Sequence, residues 1–271
     1  MRTAVTLFVL ALAFAALPAA GAGPRVAAHR GGALLWVENS LGAYRKALEL
    51  GVDYVETDVH LTADGDLVVV HDATLDRTTS GTGTVREARR DELSRLRLRA
   101  RDGSLTDEPL PTLGALLDVV RPSRAELLLE IKVDERGRRY PGIEEKVLAL
   151  LRERALSART LIMAFEPDTL RRVRELDPAV RTVLLINRGR VQHERVWPAA
   201  AVTRAVELGA AAVGFNHRLV DADVTAAARR AGLVLAAWTV NEEADLSRVI
   251  ALGVDVVISD RPDLALRLTG R

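Results

Sequence analysis

Short runs of apolar and branched residues alternate with helical patterns along most of the chain. Eight runs, each bounded by turn residues, predict strands at 25–29, 54–59, 127–131, 160–164, 181–185, 211–215, 233–238 and 256–259. Helical periodicity occupies segments between them at 40–50, 143–154, 166–176, 202–208, 221–231 and 242–252. Near-continuous apolar strands separated by helices predict a parallel sheet that is buried on both faces.

A weak internal repeat supports this organisation. In three places a helical pattern ends on Leu and is followed directly by a glycine, at Gly51, Gly209 and Gly253, and a strand begins within a few residues. Glycine suits the left-handed conformation that ends many helices. Eight such units in 271 residues predict an α/β fold, the (β/α)₈ TIM barrel. A doubly wound open sheet is the alternative, but no G-x-G-x-x-G follows the first strand.

One region departs from the alternation. Residues 62–66 form a predicted turn that joins the second strand to residues 67–71, as in a hairpin rather than a crossover. The chain from about 72 to 111 is then polar and rich in Arg, Asp and Gly, with a short helical patch around 91–98. We interpret it as a small insertion over the barrel mouth, too short for a core of its own. Residues 23–271 are accordingly predicted to form a single domain.

The first 22 residues are predicted to lie outside the fold. Arg2 precedes an apolar run from Ala4 to Leu17, and Ala20 and Ala22 occupy the positions that a signal peptidase reads. The run is shorter than the roughly 20 apolar residues that span a bilayer. We predict a cleaved signal peptide at 1–22 and export to the periplasm or the medium, without stable membrane insertion after cleavage; an uncleaved anchor is the alternative.

Composition narrows the function. The chain has no cysteine, which excludes thiolate chemistry and a lipid-attachment cysteine. The formal charge of +1 gives no electrostatic reason to expect a nucleic-acid partner. Only three of the 38 basic residues are lysines, and Lys132 is the one on a predicted strand, whereas Lys46 and Lys146 fall on predicted helices. Composition does not predict the oligomeric state.

Acidic side chains converge on two of the predicted strands. Glu56 and Asp58 stand two residues apart, so strand alternation directs both to one face, and Glu130 and Lys132 share a face in the same way. Three acids against one lysine leave excess negative charge. Because the candidate ligands are hard oxygens, we predict one divalent cation, Mg²⁺ or Ca²⁺. A plain Glu130–Lys132 ion pair at the end of the barrel is the alternative.

Two of the five histidines, His29 and His71, each end an apolar run next to a charged residue. Imidazoles with an ordinary pKa near 6.5 are able to divide the roles of proton acceptor and donor, as cleavage of a phosphodiester requires. His60 continues the face of Glu56 and Asp58, and we interpret it as a surface residue or a supporting neighbour of the site. His193 and His217 have no candidate cluster around them.

The candidate residues belong to a series of short motifs that follow one another along the chain. The motifs are His29-Arg30-Gly31, Glu38-Asn39-Ser40, Gly51 to Val59, Thr62 to Gly65, Val70-His71-Asp72, Arg77 to Gly83, Leu129 to Lys132, Trp238 to Asn241 and Ser259 to Pro262. In this order they resemble the glycerophosphodiester phosphodiesterase family. The resemblance covers nearly all of residues 23–271, and its first half is the more specific because many separate elements recur in order.

The resemblance implies a TIM barrel with a small insertion after the second strand. It implies metal binding and acid–base catalysis by the acids and histidines above, phosphate binding by two cations, and two aromatic residues near the substrate. The implied roles are metal binding by Glu56, Asp58 and Glu130, acid and base by His29 and His71, phosphate binding by Arg30 and Lys132, and substrate contact by Phe165 and Trp238. The two aromatic residues are equally compatible with the barrel core.

The implied reaction is metal-dependent hydrolysis of a small-molecule glycerophosphodiester to glycerol 3-phosphate and an alcohol. The alternatives are a phosphodiesterase that acts on lysophospholipids or phospholipids and a non-catalytic phosphate-binding barrel. A polar insertion and a complete set of acids and histidines argue against them. The family usually has Pro before the Glu-Asn pair and Thr after it, whereas this chain has Val37 and Ser40. With Trp36, these residues alter the rim beside Glu38, where substrate shape is decided.

Overall fold

The computed structural model describes residues 23–194 and 197–271. Eight parallel strands form the barrel: β1 (Arg25–Ala28), β2 (Tyr54–Leu61), β6 (Glu126–Ile131), β7 (Thr160–Ala164), β8 (Arg181–Ile186), β9 (Ala212–Asn216), β10 (Val234–Trp238) and β11 (Val256–Ser259). The barrel is closed because β1 pairs with both β2 and β11. The predicted TIM barrel is confirmed, and the open sheet is wrong.

Helices connect the strands on the outside of the barrel. Each predicted helix is present, with shifted ends. The α-helices are α1 (Leu41–Glu49), α2 (Arg90–Leu93), α3 (Leu113–Val120), α4 (Ile143–Glu153), α5 (Pro167–Leu176), α6 (Arg188–Glu194), α7 (Pro198–Glu207), α8 (Ala222–Arg230), α9 (Glu243–Leu252) and α10 (Pro262–Leu268). The glycines of the repeat have positive φ angles, 79° at Gly51, 60° at Gly209 and 80° at Gly253, as the helix-end prediction requires.

Alternation along the strands produces two apolar layers. One side chain set, such as Val55 and Val59 of β2, packs against the surrounding helices. The other set, such as Tyr54 and Leu128, fills the interior of the barrel. All eight residues of β2 are buried, including Glu56, Asp58 and His60. Burial of acids at these positions is costly unless they are paired or bind a cation.

The segment after β2 contains more structure than the sequence predicts. β3 (Leu67–Val69) pairs antiparallel with β2, as the hairpin prediction requires, and a separate ribbon is formed by β4 (Arg97–Arg99) and β5 (Leu105–Pro109). The prediction that the insertion lacks a core is wrong. The small apolar cluster beneath it contains Val68, Val70, Leu75, Val85, Leu93, Leu98 and Leu110. Val68 of β3 contributes to this cluster. The length of the insertion alone therefore underestimates the apolar core that it helps to form.

Residues 1–22, where the signal peptide is predicted, lie outside the described residues. Within the residues described, helices long and apolar enough to cross a bilayer are absent.

Candidate active site

Each of several candidate site residues lies two positions after an inward-facing core residue of a barrel strand. Glu56 stands two residues after Tyr54, and Glu130 two residues after Leu128, so both acids continue the inward-facing rows at the carboxyl ends of β2 and β6. His29, Phe165, Trp238 and Asp260 follow the inward-facing Ala27, Met163, Ala236 and Ile258 by the same offset. The carboxyl ends of the strands are where TIM barrels carry their active sites.

The three predicted acids come together in one cluster. Glu56, Asp58 and Glu130 are buried, and each offers a carboxylate oxygen within 4.8 Å of the others. Among the described residues, buried Asp58 Oδ1 accepts no hydrogen bond, and its nearest cation is the Lys132 ammonium at 3.3 Å. A cluster of carboxylate oxygens with a buried acceptor that lacks a hydrogen bond fits a hard divalent cation. The acidic triad is therefore able to hold a metal ion.

Electrostatics within the triad are uneven. Burial, and then the negative charge of Asp58, raise the pKa of Glu56 well above its usual range. Burial alone would also raise the pKa of Asp58, but Lys132, His71 and Arg30 surround it with positive charge and hold that pKa below its usual range. Glu56 is thus a carboxylate whose ionisation is opposed in the protein alone, and a bound cation would remove that opposition.

Lys132 lies against two members of the triad. Its Nζ is 2.7 Å from Glu130 Oε1 and 3.3 Å from Asp58 Oδ1. Burial would lower the pKa of Lys132, but Glu130 and Asp58 outweigh it and keep the ammonium charged. The Glu130–Lys132 ion pair of the alternative interpretation therefore exists, and its carboxylate also belongs to the acidic triad.

We expect Lys132→Arg to lower turnover at least about tenfold. A planar guanidinium is broader than an ammonium and would engage the carboxylate of Glu130 with two donors, which withdraws a predicted ligand from the cation. Crowding at this buried position is expected to cost about 1–3 kcal/mol of stability. Turnover at increasing Ca²⁺ or Mg²⁺ and thermal unfolding should be measured together. Lys146→Arg, at an exposed position of α4, is the control. Equal turnover of the two variants would mean that Lys132 only balances the negative charge of Glu130.

His29 lies directly after β1, and Asp260, directly after β11, orients its ring. The strand prediction is one residue too long here, because β1 ends at Ala28 and His29 begins a 3₁₀ turn. Its Nδ1 lies 2.6 Å from Asp260 Oδ1, and Asn241 donates to the other oxygen of Asp260 at 2.7 Å. The carboxylate fixes the proton on Nδ1 and leaves Nε2 available, 3.9 Å from Glu56 Oε2. Burial opposes its charge, but Glu56 and Asp260 together raise the pKa of His29.

His71 has an equivalent carboxylate partner. Its Nδ1 lies 2.7 Å from Asp72 Oδ1, and Arg77 donates from Nε to Asp72 Oδ2 at 2.6 Å. Arg77 also binds Glu38 with both terminal nitrogens, at 2.7 and 2.9 Å. The hydrogen bond from His71, then those from Arg77, hold the pKa of Asp72 well below its usual range, so this carboxylate stays charged beside the imidazole.

The remaining histidines separate into supporting and distant residues. His60 is buried rather than on the surface, with Nδ1 2.8 Å from the Tyr140 hydroxyl and Nε2 3.1 Å from the carbonyl oxygen of His71. Burial lowers the pKa of His60 to about 4, so it is neutral and supports the backbone of His71. His217 lies apart from the site: Arg248 donates to its carbonyl oxygen at 2.8 Å, and His217 lines neither of the two cavities at this end of the barrel.

Arg30 stands in a sharp turn. Its φ is 50°, and Gly31 and Gly32 follow at 80° and 100°. The turn directs the backbone N–H of Arg30 to Glu56 Oε2 at 2.8 Å, while its side chain pairs with Glu38 Oε1 at 3.1 Å. A Cβ on Gly31 would lie 2.9 Å from the Cβ of Ala43, so glycine is required there.

The Glu-Asn pair has a structural role that the sequence did not assign. Glu38 binds both Arg30 and Arg77, and Asn39 Nδ2 donates to Asp58 Oδ2 at 3.1 Å. Asn39 adopts a left-handed φ of 57° and is fixed by the Tyr44 hydroxyl at 2.6 Å. In the sequence, the motif Glu38-Asn39-Ser40 is the feature that indicates a role for these two residues. Asn241 and Asp260 also lie in motifs of the family resemblance, but the sequence assigned them no role.

Two neighbouring cavities, which share lining residues, lie at this end of the barrel. The inner one, about 80 Å³, is lined by Glu56, Glu130, His29, His71 and Arg30, together with apolar side chains. Phe165 and Trp238 belong to that apolar wall and pack edge to face with ring centroids 5.5 Å apart. They touch both the barrel core and the cavity, and their substrate contact stays a prediction. The outer cavity, about 480 Å³, shares His29, Arg30 and Thr239 with the inner one.

Comparison with known proteins places the chain in one family. Residues 29–264 match the model of the glycerophosphoryl diester phosphodiesterase family. A glycerophosphodiester phosphodiesterase of Caldanaerobacter subterraneus subsp. tengcongensis is 34% identical, over 90% of this chain and 96% of the relative. A probable glycerophosphodiester phosphodiesterase 1 of Mycobacterium tuberculosis is 32% identical over 88% of this chain and 90% of its own.

Solved structures agree. A putative glycerophosphoryl diester phosphodiesterase from Agrobacterium tumefaciens superposes with a TM-score of 0.84 at 27% identity, covering 92% of this chain and 98% of that chain. A phosphodiesterase from Oleispira antarctica, in complex with the product sn-glycerol 3-phosphate, gives a TM-score of 0.76 at 26% identity with the same coverage. The chain therefore belongs to the glycerophosphoryl diester phosphodiesterase family.

Proposed function

We propose that this protein hydrolyses glycerophosphodiesters to glycerol 3-phosphate and an alcohol. The observation that carries the proposal is the inner cavity, where two histidines and two members of the acidic triad line the same small space. The relative from Oleispira antarctica binds sn-glycerol 3-phosphate, the product of this reaction. A barrel that only bound phosphate would not need two histidines that are each oriented by an aspartate.

The metal that we propose is a single Ca²⁺ or Mg²⁺, held by Glu56, Asp58 and Glu130. When bound, such a cation neutralises charge on phosphoryl oxygens. Arg30 and Lys132 place two further positive charges beside the triad, where they would stabilise the charge that develops in the transition state. We assign proton transfer to Nε2 of His29 and of His71, because the Nδ1 atom of each is occupied by an aspartate.

Soluble diesters fit the site better than intact lipids. Among the described residues, the large apolar side chains that are exposed are Leu50, Leu105, Trp197 and Val206, and only Leu105 belongs to the insertion. One exposed leucine is not the apolar rim that a membrane-bound substrate requires.

The test is an assay of the purified protein with glycerophosphocholine, lysophosphatidylcholine and phosphatidylcholine, with the products identified. We expect glycerol 3-phosphate and choline from the first substrate and slower turnover of both lipids. Preferential turnover of a lipid would favour the lipid-directed alternative. Phosphate binding without turnover of any of the three would favour the non-catalytic alternative.

Export is a separate proposal, supported by the apolar run and small residues of the first 22 positions. Sequencing the amino terminus of protein recovered from outside the cytoplasm is expected to begin at Gly23. A chain that retains Met1 on the membrane would instead indicate an uncleaved anchor.

A further inference from the structure

The outer cavity has an unusual charge balance. The insertion supplies three arginines to its wall, Arg77, Arg99 and Arg101, and the turn after β1 supplies Arg30. Its two acidic residues are Glu38 and Asp260. At about 480 Å³ the cavity lies within the range of small-molecule sites, roughly 300–1,000 Å³.

The acids of this wall are already paired with other groups. Glu38 binds Arg30 and Arg77, and Asp260 binds His29. Among the described residues, the side chain of Arg99 donates only to the backbone oxygen of Gly103, at 2.7 Å. Arg101 is exposed, and its side chain makes neither an ion pair nor a hydrogen bond with the rest of the described chain. Arg99 and Arg101 therefore give the cavity an excess of positive charge.

The position of these two arginines matters as much as their charge. They stand at the turn of the β4–β5 ribbon and line the outer cavity together with His29 and Arg30, which also line the inner cavity. A diester whose phosphate lay beside the acidic triad would therefore extend one of its substituents into the outer cavity. Since the inner cavity is only about 80 Å³, the larger substituent has room on the outer side alone.

The wall is poorly suited to a quaternary ammonium group. Recognition of such a group uses an aromatic cage or free carboxylates. Trp36 is the one aromatic residue in the described wall, and Lys46 Nζ lies 5.8 Å from the centre of its ring. Guanidinium groups instead match phosphate and carboxylate oxygens with paired donors.

We propose that Arg99 and Arg101 select glycerophosphodiesters whose alcohol carries an anionic group of its own, a phosphate or a carboxylate. This inference rests on the proposed function and adds the substrate class to it. The selection acts on the far end of the departing alcohol rather than on the phosphorus atom, so it affects substrate choice more than the chemical step.

The test compares kcat/KM for glycerol 3-phosphate release from four diesters. Their alcohols are inositol, inositol phosphate, serine and choline. We expect the wild type to favour inositol phosphate over inositol by about tenfold or more and to disfavour choline. The Arg99→Ala/Arg101→Ala variant is expected to bring the inositol phosphate to inositol ratio close to one, with the inositol diester itself little changed. The serine diester distinguishes a carboxylate preference from a phosphate preference, since only the former extends to it.

Arg97→Ala, an exposed arginine on the same strand outside the cavity, is the matched control and should leave the ratio as in the wild type. Arg101→Glu guards against a folding defect in the double variant, because Arg101 has no structural partner, and it should lower turnover of the inositol phosphate diester most. An unaltered ratio in both cavity variants, or a wild-type preference for choline, would overturn this inference alone. No glycerol 3-phosphate from any of the four diesters would overturn the proposed function with it.

Discussion

Glu56→Gln is expected to lower turnover at least about 10³-fold while the barrel stays folded. Metal polarisation of a phosphoryl oxygen contributes several kcal/mol, and each 1.36 kcal/mol corresponds to a factor of ten in rate. The amide keeps the acceptor for the Arg30 N–H, which is 2.8 Å from Glu56 Oε2, but loses the anionic ligand. It also removes a carboxyl group whose ionisation the buried cluster opposes, so without metal we expect a thermal midpoint equal to or above that of the wild type.

Turnover and thermal unfolding should be measured with and without added Ca²⁺ and Mg²⁺. A ligand at 100 times its Kd stabilises a protein by about 2.7 kcal/mol, so cation-induced stabilisation should appear in the wild type and vanish in Glu56→Gln. Glu144→Gln removes a buried glutamate that is paired with Arg139 away from the site, and it is the matched control. Wild-type turnover in Glu56→Gln would refute the assignment of the triad.

His29→Ala and His71→Ala are each expected to lower turnover by about 10²-fold or more, the usual scale for a general acid or base. Each histidine is oriented through Nδ1 by a carboxylate, Asp260 for His29 and Asp72 for His71, so Asp260→Asn and Asp72→Asn should lower turnover by smaller factors. The pH profile of Asp260→Asn should shift toward lower pH, because the carboxylate of Asp260 no longer helps to raise the pKa of His29.

His193→Ala is the control, since His193 is exposed on α6 away from both cavities. If His60→Ala lost more activity than His29→Ala and His71→Ala, the histidine assignment would be wrong. Within the described residues, the hydrogen bond from His60 to the site is the one to the carbonyl oxygen of His71, so its replacement should change turnover less than either.

The sequence predicted the parts of the site that depend on local periodicity. Glu56 and Asp58 point the same way because they are two residues apart on one strand, and Glu130 follows the same rule on the neighbouring strand. The barrel itself followed from the alternation of strands and helices. These inferences use only short stretches of chain, over which geometry is fixed by the backbone.

What the sequence did not predict depends on closure of the barrel. Asp260 meets His29 across 231 residues, because β1 pairs with β11, and nothing local to either residue indicates the contact. His60 is buried because β2 runs on beyond the barrel into the hairpin with β3. The core beneath the insertion was missed for a similar reason, since β3 contributes Val68 to it. Partners that come from distant strands require the three-dimensional structure.

The most direct test of the account is glycerol 3-phosphate release by metal-free protein. The wild type should be stripped with a chelator, verified as metal-free by elemental analysis and assayed with glycerophosphocholine before and after addition of Ca²⁺ or Mg²⁺. We predict that the stripped protein is inactive and that one of these cations restores its turnover. Undiminished release of glycerol 3-phosphate by the verified metal-free protein would contradict the account.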